Sequence, residues 1–565
     1  MELKKEVPYS YKILQIKLNK KGLTLAWKGY FINPHNHRLE DPKLLVTDHI
    51  RLPIELYEKA GKLKKWKALF VPTTQIKIPI SKILEDETRI NNHLRIELKV
   101  DGQMISHYLG KPISKNKLKK WNQKEGNLEK RRKGLSLLKA ERLYILPIRS
   151  CFAGSFALHI RRGLKGMLVL VKRPMDPYER TRSYRFYESR LVSSCMYLWG
   201  RVKKTCSKKS VNLYYEKYAG KAEEGTLELQ QAAWMEKGGG NYFILDPASS
   251  DYERIKDLPG VVAKYSKKYY KLLYRANHLI ATEAPAHLSV LRTNNPVLRR
   301  LLMEDYFVFL QHGVTYLKPH DKQSSFVTGR DAQLDAILVN GPREAETCRE
   351  MFRLSKDQVW QTGMVIFDKI KYQSITQTSQ NIVTIMLTWK PYEEQLLDFS
   401  KSQYYKEILA LYDLLKGQIR QECIRIVAHP KVAEALDQTP FAKNLYQGKI
   451  FDLLDQTKLL ITDYSSVCYQ SYYRGAGVIF YQYDLEKFEE TCGKLLPKEE
   501  EYIGPRVFTM EELKLQLESV ILDGEINLSK LRGKQEDQAF LQVVSDHDTG
   551  RKDRLIERLK IEKLL

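Results

Sequence analysis

A chain of 565 residues and 66.1 kDa has room for three or four domains, which excludes a peptide, a lone small module or a fibre. With 43% hydrophobic and 29% charged residues it stands apart both from low-hydrophobicity disordered chains and from apolar multi-span membrane proteins. The net charge of +26 is segregated: residues 1–220 carry 48 Lys and Arg against 19 Asp and Glu, and residues 221–565 carry 46 against 49. A basic end of this kind is built to meet a polyanion, whether nucleic acid, an anionic membrane surface or a phosphate-rich polymer.

Seven cysteines without a CxxC pair do not make a disulfide framework, so a reducing compartment is expected. The N-terminus lacks an apolar secretory segment. The longest apolar runs, 167–171 and 382–387, fall far short of the ~20 residues that cross a bilayer, so any membrane contact is expected to be peripheral.

In chain order, residues 1 to about 110 read as short strands of period two, as at 11–18 and 93–100, separated by the turn signals Asn33-Pro34 and Asp101-Gly102. A small antiparallel β domain is expected there. A lysine-rich stretch over 111–142 follows, read as a linker or exposed arm and as an anion-binding segment. From about 150 the texture becomes apolar strands alternating with amphipathic helices, the pattern of parallel α/β layers. One series of strands is read at 167–171, 242–245 and 278–282. A second is read from 336–339 through 382–387, 423–428, 459–462 and 478–481. The boundaries that follow are 1–145 for the basic β-rich domain with its linker, 146–335 and 336–500 for two doubly wound domains, and 501–565 for a C-terminal helical segment. The basic amphipathic stretch 551–560 is left with two placements, on a membrane or packed back across the first sheet.

In open parallel sheets, ligands bind beyond the carboxyl ends of the strands. The residues found there are Gln311-His312-Gly313, then Thr388-Trp389-Lys390, then His429-Pro430, then Thr462-Asp463-Tyr464-Ser465-Ser466. Gly313 lets the backbone turn behind His312, leaving an imidazole exposed as a general base. Ser465 and Ser466 precede a helix-compatible run and present hydroxyls and amide N–H groups to a phosphate. His429, stiffened by Pro430, is a donor to a phosphate oxygen. Thr388 and Lys390 are further donor-binding candidates.

This order of motifs, with the segment Ile479-Phe-Tyr-Gln-Tyr-Asp-Leu485, resembles the CDP-glycerol glycerophosphotransferase family, the teichoic acid primases and polymerases, over roughly residues 210–490. The segment 214–221 is similar to the family's entry segment around its first sheet. The resemblance implies a GT-B-like pair of Rossmann domains and transfer of a polyol phosphate from a CDP-activated donor to a hydroxyl of a lipid-linked acceptor, with release of CMP. It also implies peripheral attachment at the inner membrane face of a bacterium. By motif, His312 is the base, His429, Ser465 and Ser466 hold the donor diphosphate, and Asp463 organises its loop or touches substrate.

Three departures leave the polyol open between glycerol phosphate and ribitol phosphate. Gly363-Met-Val-Ile-Phe-Asp368 replaces a Gly-x-Pro-Arg-x-Asp pattern, Ala428 sits beside His429 with the nearest arginine at Arg425, and Gln470 takes a usually acidic position. Neither HExxH, zinc-spaced Cys and His, nor a P-loop is present, and no cofactor beyond the CDP-polyol substrate is expected. Metal dependence and homo-oligomerisation stay open. The rival readings are a nucleotide-sugar transferase on the same architecture and, more remotely, a nucleic-acid-binding protein, motivated by lysines beside Trp66 and Trp121.

Overall fold

The computed structural model describes the chain apart from residues 1–6, 8, 34, 36, 48, 59–66, 87–90, 111–148, 163–166, 208, 291–294, 320–333, 377–379, 394–398, 429–435, 437–438, 440 and 546. The lysine-rich stretch 111–142 thus lies almost wholly outside the described residues, as do His429 and Pro430. The chain divides into two compact units, Met1–Tyr197 with Ser289–Glu304, and Leu198–Leu288 with Asp305–Leu565.

Period-two alternation builds the first unit as antiparallel β. Tyr9–Asn19 pairs with Gly22–Asn33, which turns Trp27 and Phe31 into the core and Lys28 and Tyr30 outward. Arg95–Val100 and Gln103–Tyr108 close a hairpin on Asp101-Gly102, both at positive φ (49° and 81°), as a two-residue turn requires. The run 167–171, expected in a parallel layer, belongs here instead. It lies in Leu168–Pro174, antiparallel to Phe156–Arg162 and Asn91–His93. A buried run of Leu and Val suits either kind of sheet, and only the partner strand decides.

The second unit holds two all-parallel sheets. The first runs, edge to edge, Val261–Ala263, Asn241–Leu245, Asn212–Tyr215, His278–Ala281, Tyr306–Phe309, Ala336–Leu338 and Val359–Trp360. The second runs Ile424–Ile426, Ile382–Met386, Thr457–Thr462, Gly477–Tyr481 and Arg506–Val507. Every residue of Asn212–Tyr215 and of Gly477–Tyr481 is buried, as strands covered on both faces must be. This is the GT-B-like pair of doubly wound α/β sheets, with an antiparallel β domain before it in sequence. The strand at 336, expected to open the second series, is the sixth strand of the first sheet; its apolar run carries no mark of the sheet that receives it.

Strand order reverses once in each sheet. The switch points fall between Asn212–Tyr215 and His278–Ala281, and between Ile382–Met386 and Thr457–Thr462. Side chains following these strands therefore have a crevice open above them.

The C-terminal helix Arg551–Ile561 packs back onto the first sheet, where Leu555, Ile556, Leu559 and Leu564 join the core and Asn212 Nδ2 donates to the Leu564 carbonyl at 2.9 Å. Arg551 has no exposed area; it contacts Asp368 at 3.4 Å and Tyr473 Oη at 3.3 Å. Gly363 (φ +77°) makes room for it, since a Cβ there would stand 2.8 Å from Arg551 Cδ. A guanidinium absent from the motif 363–368 thus reaches Asp368 from far along the chain. Among the described residues no helix is long and apolar enough to cross a membrane.

Candidate active site

The first wall of the site starts where Asn212–Tyr215 ends. Glu216 is fully buried and accepts the amides of Glu223 (2.6 Å), Glu224 (2.7 Å) and Thr226 (2.8 Å). The loop it holds contains three successive non-glycine residues at positive φ, Lys217 (33°), Tyr218 (63°) and Ala219 (56°). Such left-handed residues are costly and persist only where their surroundings over-determine them. Here Lys264 Nζ donates to the Tyr218 carbonyl at 2.7 Å and Asp246 N to that of Ala219 at 2.6 Å.

Burial, helped by the nearby Glu224 charge, pushes the Glu216 carboxyl up to about 7 against the pull of its three N–H donors. A raised carboxyl favours the folded state at low pH, and that contribution is lost as pH climbs from 4.5 through about 7. We expect wild-type protein to lose about 3 kcal/mol relative to Glu216→Gln across this window. Denaturant midpoints of both proteins from pH 4.5 to 7 measure it, and parallel curves would sink the assignment.

The next turn follows Tyr306–Phe309. Gln311 takes φ +61°, its Nε2 donating to the Leu338 carbonyl and, at 3.0 Å, to Glu344 Oε1. Glu344, fully buried and raised by that burial, also accepts Thr315 N (2.7 Å) and Asn340 N (2.6 Å). This pins the turn that exposes His312. His312 Nδ1 lies 3.1 Å from the Thr282 carbonyl at the first switch point. A carbonyl only accepts, so Nδ1 carries the proton and Nε2 is the basic nitrogen. Close by, burial would raise the Glu283 carboxyl, but the His287 hydrogen bond and the charges of His287, His312 and Lys217 hold it below its ordinary value.

Gly313 answers to a different need from the one expected. The backbone turn falls on Gln311, whereas a Cβ on Gly313 would stand 2.6 Å from Ser466 Oγ. Two loops from the two sheets meet here. Gly313→Ala is expected to push the Ser466 side chain aside with little change in thermal midpoint; a crystal structure of the variant with Ser466 unmoved would count against the contact.

In the second sheet, Thr462 leads into a buried polar cluster. Asp463 is fully buried, accepting Thr388 N (2.8 Å) and Tyr464 N (2.5 Å) on Oδ1 and pairing with Lys390 Nζ (2.6 Å) through Oδ2. Lys390 is equally buried, also reaches Asp484 (3.1 Å), and lies over the rings of Tyr464 and Tyr483. Burial raises the Asp484 carboxyl, with Lys390 acting against the rise. Lys390, expected to bind the donor, and Asp463, expected to organise its loop or touch substrate, are therefore committed to one another beneath the switch point. Thr388 is half-buried, and its hydroxyl meets no partner among the described residues.

Ser465 and Ser466 precede the helix Val467–Tyr473, and the Ser466 side chain makes no capping bond. Both line a cavity of about 590 Å³ with His312, Lys217, Lys221, Glu223, Glu224 and Lys449, over an apolar side formed by Met364, Ile366, Met386 and Phe451. The structure thus joins His312, Ser465 and Ser466 in one cleft and leaves Asp463, Lys390 and Thr388 off its wall. Among the described residues, no group of three or more His, Cys, Asp or Glu is arranged to hold a metal. The sequence reading passed over Glu216, although it directly follows a strand, and Glu344, for which no local signal exists.

A family model described as CDP-glycerol:poly(glycerophosphate) glycerophosphotransferase matches residues 216–558. The chain is 24% identical over 290 residues to the minor teichoic acid biosynthesis protein GgaB of Bacillus subtilis strain 168, covering 47% of this chain and 31% of that protein. It is 26% identical over 179 residues to the teichoic acid glycerol-phosphate primase of Bacillus spizizenii, covering 29% and 44%. The chain thus spans less than half the length of these curated relatives. A solved structure of the wall teichoic acid polymerase TagF aligns with 69% of this chain and all of its own, at 15% identity and a TM-score of 0.49. With its family model running from Glu216, the brace of the first wall, to Arg558 in the returning helix, more than half of the chain, the protein belongs to the CDP-glycerol:poly(glycerophosphate) glycerophosphotransferase family.

Proposed function

We propose that this enzyme moves a polyol phosphate, glycerol phosphate or ribitol phosphate, from a CDP-activated donor to a hydroxyl of a lipid-linked teichoic acid or capsule-type acceptor. The observation that carries the reading is the close approach of the His312-Gly313 turn to Ser466 across one cleft. His312 Nε2 takes the proton of the acceptor hydroxyl as its oxygen bonds to the polyol-bearing phosphorus. The bond from that phosphorus to the CMP oxygen breaks, and CMP leaves with the electron pair. Ser465 and Ser466 hydroxyls donate to diphosphate oxygens, and His429, carried over by motif, adds a further donor. Their effect lies in meeting charge as it grows on the departing phosphate.

The test is CMP release from CDP-glycerol and, separately, CDP-ribitol, with a lipid-linked polyol-phosphate acceptor. Release with one donor names the polyol. Failure with both, together with turnover of a nucleotide-sugar, would move the chemistry to glycosyl transfer.

Attachment to the anionic inner face of the cell membrane fits the basic N-terminal part. The helix Arg190–Cys206 exposes Leu191 (76%), Leu198 (66%) and Val202 (59%) at helical spacing, among exposed Arg190, Arg201 and Lys203. Each basic residue reaching such a surface is worth about 1 kcal/mol and is screened by salt. Sedimentation with anionic vesicles is expected to fall as salt rises and to fall further in Leu191→Ser/Leu198→Ser. Equal binding to neutral vesicles would remove the charge term.

A further inference from the structure

We propose that Glu224 binds the acceptor, holding a hydroxyl beside the one that reacts, so that the acceptor end entering the cleft is a neutral vicinal diol of a polyol or sugar. The inference rests on the transfer reading above and adds to it the chemistry of the acceptor terminus.

The wall that carries His312 also carries two carboxylates. The Glu223 and Glu224 amides are both tied to Glu216, which fixes the backbone from which these side chains enter the cavity. Glu224 has a 9% exposed side chain; its Oε1 pairs with Lys217 Nζ at 3.1 Å, and its buried Oε2 has no hydrogen-bond partner among the described residues. Glu223 Oε1 is likewise without one, with Lys221 and Lys449 ammonium groups each 3.6 Å away. A buried acceptor oxygen without a donor is costly, and an incoming hydroxyl supplies the donor.

The sign of the charge selects the ligand. A phosphate placed against this wall would face two carboxylates whose lysines are already engaged, whereas a hydroxyl donates to them. The serines on the opposite loop, with no carboxylate beside them in the sequence run 464–467, suit the phosphates better. His312 and Glu224 line the same cavity, so a terminal diol offers one hydroxyl to His312 Nε2 and its neighbour to the Glu224 carboxylate. Sites built to bond a hydroxyl discriminate strongly against the analogue that lacks it.

The experiment compares glycerol 1-phosphate with 3-hydroxypropyl phosphate, which keeps the phosphate and the terminal hydroxyl but lacks the middle one. Equilibrium binding to the full chain is read by ligand-observed NMR, which needs no turnover. Wild-type protein is expected to bind glycerol 1-phosphate at least tenfold tighter. Glu224→Ala is expected to bind the two alike, and the shape-preserving Glu224→Gln to lose most of the preference. Equal binding by wild type, or a preference that survives in both variants, overturns the proposal. So does an equal loss for both ligands, which would mark Glu224 as structural. A parallel CMP-release assay on wild type keeps the two readings apart: absent release with the preference intact overturns phosphate transfer and leaves the diol site standing.

Discussion

His312→Ala is expected to slow CMP release by about 10²- to 10⁴-fold, the usual worth of a positioned general base, while the unfolding midpoint stays where it was. The two halves of this expectation have separate causes. The side chain is exposed, and its recorded hydrogen bond goes to the Thr282 carbonyl, which sits at a strand end open to the crevice. Removing the ring therefore costs little packing. It takes away the nitrogen proposed to receive the acceptor proton, and neither Ser465 nor Ser466, both neutral hydroxyls, can replace it. Donor binding measured on the inactive variant should be unchanged, because the serines proposed to hold the diphosphate lie on the opposite loop. Turnover at the wild-type rate in His312→Ala would pass the role of base to His429.

Lys390→Met has its effect on the fold. Lys390 bridges Asp463 and Asp484 at 2.6 and 3.1 Å with none of its side chain exposed. Breaking a buried pair by removing one partner costs about 3–5 kcal/mol, because a charge is left without compensation. Here two carboxylates are left. Lys390 counters the burial that raises the Asp484 carboxyl, so without it that carboxyl moves further up. A carboxyl raised in the folded state gives stability at low pH and loses it as pH climbs through its folded value. The variant's deficit should thus be largest near pH 7 and shrink toward pH 4. Denaturant midpoints at both pH values measure this, and Lys390→Met/Asp463→Asn should recover part of the loss. A deficit independent of pH would mean that lost contacts with Tyr464 and Tyr483, rather than charge, set the cost.

Much of this architecture was legible from the order of apolar runs and of the residues that follow them. The strands at 242, 278, 382 and 459 form where the pattern puts them, because a parallel strand buried on both faces leaves a short, unbroken apolar run. The same reasoning misplaced the runs at 167 and 336, since such a run does not say which strand it will pair with. At the candidate site, strand-end position singled out His312, Ser465 and Ser466, which line one cavity. It could not separate them from Lys390 and Asp463, which stand in equivalent positions but pair with each other below the crevice. Glu216 and Glu344 were missed because their role, gathering backbone amides from loops yet to be formed, leaves no periodicity in the sequence. Gly313 was singled out for turning the chain, while its contact, Ser466, comes from the other sheet.

The returning C-terminal helix also bears on the order in which this molecule can be completed as it is made. Asn212 and Leu564, which share a hydrogen bond, are separated by 352 positions. At a synthesis rate of about 5–20 residues per second, the strand Asn212–Tyr215 of the first parallel sheet leaves the ribosome roughly 20–70 s before the segment that covers it. For that interval its helix-facing leucines and isoleucines have no permanent cover, and the second sheet must be threaded and folded in the meantime. Of the two parallel sheets, the one followed by His312 is begun first and closed last.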